Sequence, residues 1–417
     1  MTEQITKLPK DWKIVISSDI MDIRDGTHDT PKYVNENGIP LITSKNLKGN
    51  EIDFNKVSYI SNEDHFEISK RSKVESGDIL FAMIGTIGNP AIIKGDANFS
   101  IKNVGLFKKN ESVILPQFFV NFLRSSFFEK QLNERRLLKG TTQKFIPLGN
   151  LRKIEIPFPP IETQQAIVSK IEELFSELDK GIEDLKTAQQ QLKTYRQSVL
   201  KWAFEGKLTN ENVKDGELPE GWEMVDLKQA CEVKRGKSKH RPRNAPELYG
   251  GDYPFIQTGD IRNANGGYIK RYSQTYSEIG LAQSKLWPKG TLCITIAANI
   301  GETAILDFDA CFPDSVVGLL SKKDVLLNKY LNYFFISFKQ KLEELAPATA
   351  QKNINVDILE KVNIPLAPYE EQQLIVQEIE SRLSVADKME ESIAQSLQQA
   401  EALRQSILKK AFSGGLV

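Results

Sequence analysis

One stretch of this chain occurs twice, and that duplication restricts the folds open to it more than any other feature. Ile161–Leu208 and Tyr369–Leu416 align without a gap at a shift of 208 residues, and 22 of the 48 positions are identical. A fixed period within one chain marks a duplicated structural unit.

Each copy reads as a long amphipathic helix. In the first, Ile167, Ile171, Leu174, Leu178, Ile182, Leu185, Leu192 and Val199 recur at helical steps among Gln, Glu and Lys. The second repeats the seam with Ile375, Ile379, Leu383, Ala386, Ile393, Ala400, Leu403 and Ile407. One apolar stripe on a polar background is the mark of a helix that buries a single face. At ~1.5 Å per residue such a helix runs on the order of 60 Å. Prolines precede each copy (Pro157, Pro159 and Pro160; Pro365 and Pro368) and glycines close it (Gly206; Gly414 and Gly415), the expected helix punctuation. Two similar seams on one chain predict that the helices pair as an antiparallel coiled coil. The alternative is that each helix packs only on its own neighbouring globule.

The segments outside the helices also correspond. Leu8-Pro9-Lys10-Asp11-Trp12 answers to Leu218-Pro219-Glu220-Gly221-Trp222, and Ile39-Pro40-Leu41-Ile42 to Tyr253-Pro254-Phe255-Ile256. Gly140-Thr141-Thr142-Gln143-Lys144 answers to Ala348-Thr349-Ala350-Gln351-Lys352. Short β-branched runs (Asp78–Ile84, Ala91–Ile93, Thr291–Ile296, Thr303–Leu306) alternate with turn residues, and a helix is predicted near the end of each half, at Pro116–Arg136 and Leu327–Leu345. The fold expected is α+β: two similar globular domains separated by two long helices, a pseudo-two-fold internal repeat. The boundaries read as 1–157 for the first domain, 158–208 for the first helix, 209–217 for a polar linker, 218–365 for the second domain and 366–417 for the second helix.

Composition narrows the class. Fifty-five basic residues balance 55 acidic ones, which argues against a tail-driven nucleic-acid binder but not against local basic surfaces. The three cysteines lack CxxC spacing and the chain has only three histidines, so no metal site is expected and reduced thiols are the plain reading. The polar N-terminus and the lack of any 18-residue apolar run predict a cytoplasmic protein with no membrane partner. No phosphate-binding loop, GxGxxG, HExxH or GxSxG motif occurs. Phe158-Pro159-Pro160-Ile161 lacks the polar first residue of an amino-methyltransferase motif and has a counterpart in Pro365-Leu366-Ala367-Pro368, which makes it a helix start. The expectation is a non-catalytic chain that binds no cofactor of its own.

With two LPxxW starts, two TxQK segments and two proline-led TQQ or EQQ helices ending AFxGxL, the chain resembles the specificity subunit of type I restriction-modification systems. The resemblance covers nearly the full length. It implies that each globule is a target-recognition domain reading one half of a split double-stranded DNA site. The helices then act as spacer and as docking surface for two modification subunits, which carry S-adenosylmethionine and methylate adenine. Restriction and translocase subunits, with ATP and Mg, complete the implied assembly. Domains on antiparallel helices would read half-sites roughly one helical turn apart.

Within that reading, residues alike in both halves hold the fold, contact phosphate or bind a shared partner, and residues that differ read bases. Thr142, Gln143 and Lys144, with Gln351 and Lys352, suit phosphate contact; structural capping is the alternative. Trp12 and Trp222 read as core anchors. After the matched glycines Gly26 and Gly236, Thr27, His28 and Lys32 stand against Lys237, Lys239, His240, Arg241 and Arg243. Lys234–Arg243 carries six basic residues and no acid, and Arg suits both guanine and phosphate. Two further divergent sets are Lys45, Asn46 and Lys48 against Arg262 and Asn263, and Lys70 and Arg71 against Lys285. On the helices, the off-seam identities Asp179/Asp387, Lys180/Lys388, Glu183/Glu391 and Arg196/Arg404 fit either docking of two copies of one partner or simple ancestry. Two rivals from other classes stand: a coiled-coil interaction scaffold with no DNA role, and a nuclease with an unrecognised site.

Overall fold

A computed structural model describes residues 8–35, 38–134, 137–210, 212–239, 242–297, 299–346 and 353–417. The chain divides into two compact units, Met1–Lys186 with Ala394–Val417, and Thr187–Ile393. Each therefore combines one globule with part of both long helices, which span Ile161–Phe204 and Tyr369–Phe412.

In the first unit an antiparallel four-stranded sheet runs in the order Ile23–Asp25, Val104–Phe107, Ile79–Ala82, Gly88–Ile92. A second sheet holds Ser100–Lys102, Ile39–Thr43, Ser58–Ile60 and Tyr33–Val34. The second unit repeats the first sheet as Cys231–Arg235, Val316–Ser321, Leu292–Thr295, Thr303–Leu306, and adds Tyr268–Ile269 as a parallel fifth strand. The central strands are apolar throughout because both faces are covered.

Each globule closes on itself before its helix begins. Lys13–Ile16 pairs antiparallel with Glu155–Phe158, and Glu223–Asp226 with Asn363–Leu366. The predicted helix over 116–136 divides into Pro116–Leu123 and Ser126–Glu134. Ser125 causes the break, since its hydroxyl donates to Phe122 O and accepts from Phe128 N, as an N-cap does. Its counterpart stays whole at Asn328–Leu345.

The long helices pair as expected, which overturns the alternative that each packs only on its own globule. In the first unit Ile167 and Ile171, at the start of one helix, share a core with Ile407, Leu408, Ala411 and Phe412, at the end of the other. In the second unit Ile375 and Ile379 meet Val199 and Ala203 in the same way. The pairing is antiparallel, and its ends are also packed into the globules with Trp12 and Trp222. Leu192 is buried, while Leu178, Leu185 and Ile393 are half-buried. Leu403 departs from the expected seam at 51 % exposure. Ala400, Arg404 and Ile407 take the inward positions, and Arg404 lays its guanidinium 4.5 Å from the centre of the Phe175 ring, so the residue before it faces outward.

One residue type locks helix to globule in both units. Gln164 and Gln372 are fully buried. The Gln164 side chain accepts from Leu115 N at 3.0 Å and donates to Val113 O and Pro159 O at 3.2 and 3.1 Å. Gln372 accepts from Leu327 N at 2.8 Å and donates to Val325 O and Ala367 O at 2.9 and 2.8 Å. A primary amide suits the site because it offers two donors and an acceptor at one buried point, where a hydroxyl has a single proton to give.

The off-seam identities also gain a physical cause. Arg196 bonds Asp387 at 2.6 Å and Glu390 at 2.9 Å, and Arg404 bonds Asp179. These are one contact formed twice with the helices exchanging roles. Cross-helix ion pairs therefore account for Asp179, Asp387, Arg196 and Arg404 without any partner protein.

Candidate nucleic-acid interface

The surface loops are built on a turn that both units share. In the first, Thr43 N and Oγ1 donate to Asn46 Oδ1 at 3.0 and 2.9 Å, closing a capping box around Ser44–Asn46. Asn46 Nδ2 donates to Asp53 O and Lys56 O at 3.1 Å each. In the second, Gln257 N donates to Asp260 Oδ2 at 2.8 Å in a capping box of the same form. Asn46, expected to touch DNA, is 6 % exposed with its amide fully engaged. It is a staple for the turn and leaves the DNA-facing set. Lys45 beside it is exposed, and Lys48 bonds Asp53 at 2.7 Å.

The matched glycines have a steric cause. A Cβ on Gly26 would lie 2.3 Å from Ile101 O, and one on Gly236 would lie 2.3 Å from Pro313 O. After Gly26, Thr27 bridges to Lys102. His28 lies 2.9 Å from Asp25 Oδ2 and 2.8 Å from Asn103 Oδ1, and Arg71 also bonds Asp25. His28 and Arg71 thus gather on one buried carboxylate, with their outer edges in solvent. Lys32 is exposed and its backbone N donates to Asp64, while Lys70 bonds Glu67 at 2.6 Å.

The basic segment of the second unit carries less free charge than its sequence suggests. Lys234 pairs with Glu232, Arg235 donates to Asp314 O, and Arg243 bonds Asp314 Oδ2 at 2.7 Å. Lys237 and Lys239 are exposed. His240 and Arg241 lie outside the described residues. Lys285 sits 3.8 Å from the Trp287 ring centre. Burial there, with Lys234 and Lys237 nearby, holds its ammonium below the usual lysine range.

The Thr142-Gln143-Lys144 segment forms an exposed hairpin tip, closed by Lys139 and Phe145, which exchange backbone hydrogen bonds of 2.8 and 2.9 Å. Its side chains make no hydrogen bond among the described residues, so the capping alternative has no bond to support it. Gln351 and Lys352 fall outside the described residues.

Two open grooves adjoin the capping turns. The first, about 560 Å³, is lined by Tyr33, Lys45, Lys56, Lys102 and Gln143 along with turn residues, and among the described residues by no carboxylate. The second, about 390 Å³, is lined by Asp260, Asn263, Tyr268, Lys270, Arg271 and Tyr272. Exposed Arg262 stands on the helix that borders it. Sequence reading missed Tyr33, Lys56, Lys102 and the whole Tyr268–Tyr272 run. The alternation of Tyr with Lys and Arg at 268–272 was the available signal.

Among the described residues, no cluster of His, Cys, Asp or Glu could hold a metal, and no helix is long and apolar enough to cross a membrane. All three cysteines are buried and unpaired, and burial pushes the Cys231 thiol up to about 12.

A duplicated α+β unit carried on paired long helices defines a class of two-domain scaffold with variable loops. The model of the family described as type I restriction modification DNA specificity domain matches residues 9–187 and again 219–400, and the chain belongs to that family. The putative type I restriction enzyme MjaX specificity subunit of Methanocaldococcus jannaschii is 26 % identical, over 99 % of this chain and 95 % of that protein. The type I restriction enzyme EcoKI specificity subunit of Escherichia coli K12 is 23 % identical, over 98 % of this chain and 90 % of its own. The crystal structure of the HsdS subunit from Thermoanaerobacter tengcongensis shares the fold, with a TM-score of 0.64 at 22 % identity over all of both chains. A chain solved in work on complex assembly and conformational transition of the type I R-M system gives 0.72 at 21 % identity, covering 98 % of this chain and 99 % of that one. This chain is a type I specificity subunit, the non-catalytic targeting component of such a system. The scaffold and nuclease readings are set aside.

Proposed function

We propose that each globular unit reads one half of an interrupted, asymmetric DNA site, while the long helices fix the gap and dock two adenine-modification subunits. The observation that carries this reading is a shared skeleton under divergent loops. The buried glutamines, capping turns and cross-helix ion pairs repeat, whereas the side chains presented beside them do not. Two like platforms with unlike surfaces suit two different half-sites. Restriction and translocase subunits, where present, act through the same targeting.

A genome-wide map of methylated adenines, in cells expressing this chain with its modification subunit, tests the reading. One interrupted motif that vanishes when the chain is deleted is the expected result. No chain-dependent motif, with the modification subunit shown to be active, would sink it. The ruler role has its own test: a one-turn insertion near Thr187 should lengthen the unread gap and leave both half-sites unchanged. An altered half-site with the original gap would refute the ruler.

A further inference from the structure

The densest run of basic residues, 234–243, is the obvious place to look for DNA contact, yet Lys234 and Arg243 there already pair with Glu232 and Asp314, and among the described residues of the run only Lys237 and Lys239 are exposed lysines without an ion pair. A cation that must leave a carboxylate to reach a phosphate gains less than one with no partner. The grooves beside the capping turns meet that criterion with every cation that lines them, and add aromatic and amide groups to it. In the first, Lys45 and Lys56 have no ion-pair partner among the described residues, and Lys102 Nζ donates only to the neutral Thr30 hydroxyl at 3.0 Å. In the second, Lys270 and Arg271 are exposed and likewise without an ion pair. The one carboxylate there, Asp260, accepts from Gln257 N and Ser273 Oγ.

We infer that these two grooves, one beside the capping turn of each unit, are where the units hold DNA; the inference rests on the DNA-reading role proposed above. Each groove combines the three elements such a contact requires. Unpaired cations meet the phosphates. Exposed aromatic rings, Tyr33 at 51 % in the first and Tyr268 and Tyr272 at 41 and 46 % in the second, offer faces for sugar or base. The Tyr272 ring is braced at its side by Phe308, 5.2 Å between centres, so its position is fixed before DNA arrives. Gln143 brings an amide that can donate to phosphate or sugar, and Asn263 one able both to donate to and accept from a base edge. The two grooves occupy matching places, between the capping turn and the loop leading into Ser58–Ile60 or Gln274–Tyr276. Both carry lysine and tyrosine, but the balance differs, three lysines and one tyrosine in the first against one lysine, one arginine and two tyrosines in the second, as unlike half-sites require.

The test uses the full chain assembled with its modification subunit and a fluorescent duplex carrying the mapped motif, titrated across salt. K56A/K102A and K270A/R271A should each weaken binding on the order of tenfold at low salt and flatten the log–log salt slope by about 2. K56R/K102R should keep the wild-type slope. Y272L should lower affinity with the slope unchanged, since stacking releases no counterion. All of these side chains except Lys102 are exposed, and K56Q/K102Q gives the same test should the alanine pair fail to assemble. Groove variants that bind and titrate as wild type, with K237A/K239A taking the slope instead, overturn the inference and leave the DNA-reading role standing. A wild-type complex with no preference for any sequence overturns the reading itself.

Discussion

Beside the matched glycines the two units carry opposite charge. In the first, the residue before the glycine is Asp25, a buried acid that gathers His28 and Arg71, and the connection facing it is Lys102-Asn103. In the second, the residue before the glycine is Arg235, and the connection facing it, Pro313-Asp314-Ser315, accepts from Arg235 at the Asp314 backbone O and supplies the Asp314 carboxylate that bonds Arg243. The backbone is kept, with Gly26 N donating to Val104 O and Gly236 N to Val316 O at 2.9 Å each, while the sign of the chemistry on it is inverted. What the difference teaches is a division of labour: the contacts that frame each unit recur position for position, and the charges displayed on that frame are free to reverse.

The largest test of that division is at the buried glutamines. Gln164→Ala and Gln372→Ala each leave a backbone N–H and two carbonyls without partners in a buried position, at a cost of about 3 kcal/mol or more. Hydrogen exchange resolved by unit should show the loss confined to the unit that carries the substitution. A large loss from one variant and none from the other would break the equivalence of the two skeletons. Next come the turns. Asn46→Ala and Asp260→Ala should each cost about 1 to 2 kcal/mol, read by urea denaturation, with Asn46 the more costly because it also holds Asp53 O and Lys56 O.

Smaller effects sharpen the picture. Double-mutant cycles on Arg196 with Asp387, and on Arg404 with Asp179, should return similar couplings of about 0.5 to 1 kcal/mol, as befits half-exposed pairs. Unequal couplings would mean that the two cross-helix contacts are alike only in sequence. The smallest effect expected is at the inverted charge. Asp314→Asn should free Arg243 and raise DNA affinity about twofold at low salt, a gain that fades as salt rises. A loss of affinity there would make Asp314 a base reader rather than a counterion.

The repeated helices, their antiparallel pairing and the α+β globules were legible because periodicity and duplication are written in the chain itself. The interface was less so. Asn46 sits in a divergent stretch, so it reads as a DNA contact, yet it closes the same turn that Asp260 closes in the second unit. Arg243 reads as a free cation because its acid, Asp314, is 71 residues away in sequence. Lys56 and Lys102 are isolated in sequence and meet only when the second sheet of the first unit forms. Clusters made by folding leave no local trace. The off-seam Arg and Asp identities showed in the alignment, but their cause is geometric and waited for the helix pair.

The capping turns carry a consequence for how such a surface can change through time. Because the fourth residue of each turn ties the loop back to the first, the turn closes without help from Lys45 in one unit or from Thr258 and Gly259 in the other, whereas Ser44 also donates to Asn103 O. Lys45, Thr258 and Gly259 can be exchanged without loosening the frame that displays them. Inheritance then has a place to alter what is recognised one letter at a time, like type reset in a locked forme, with no stage at which the protein must come apart to do so.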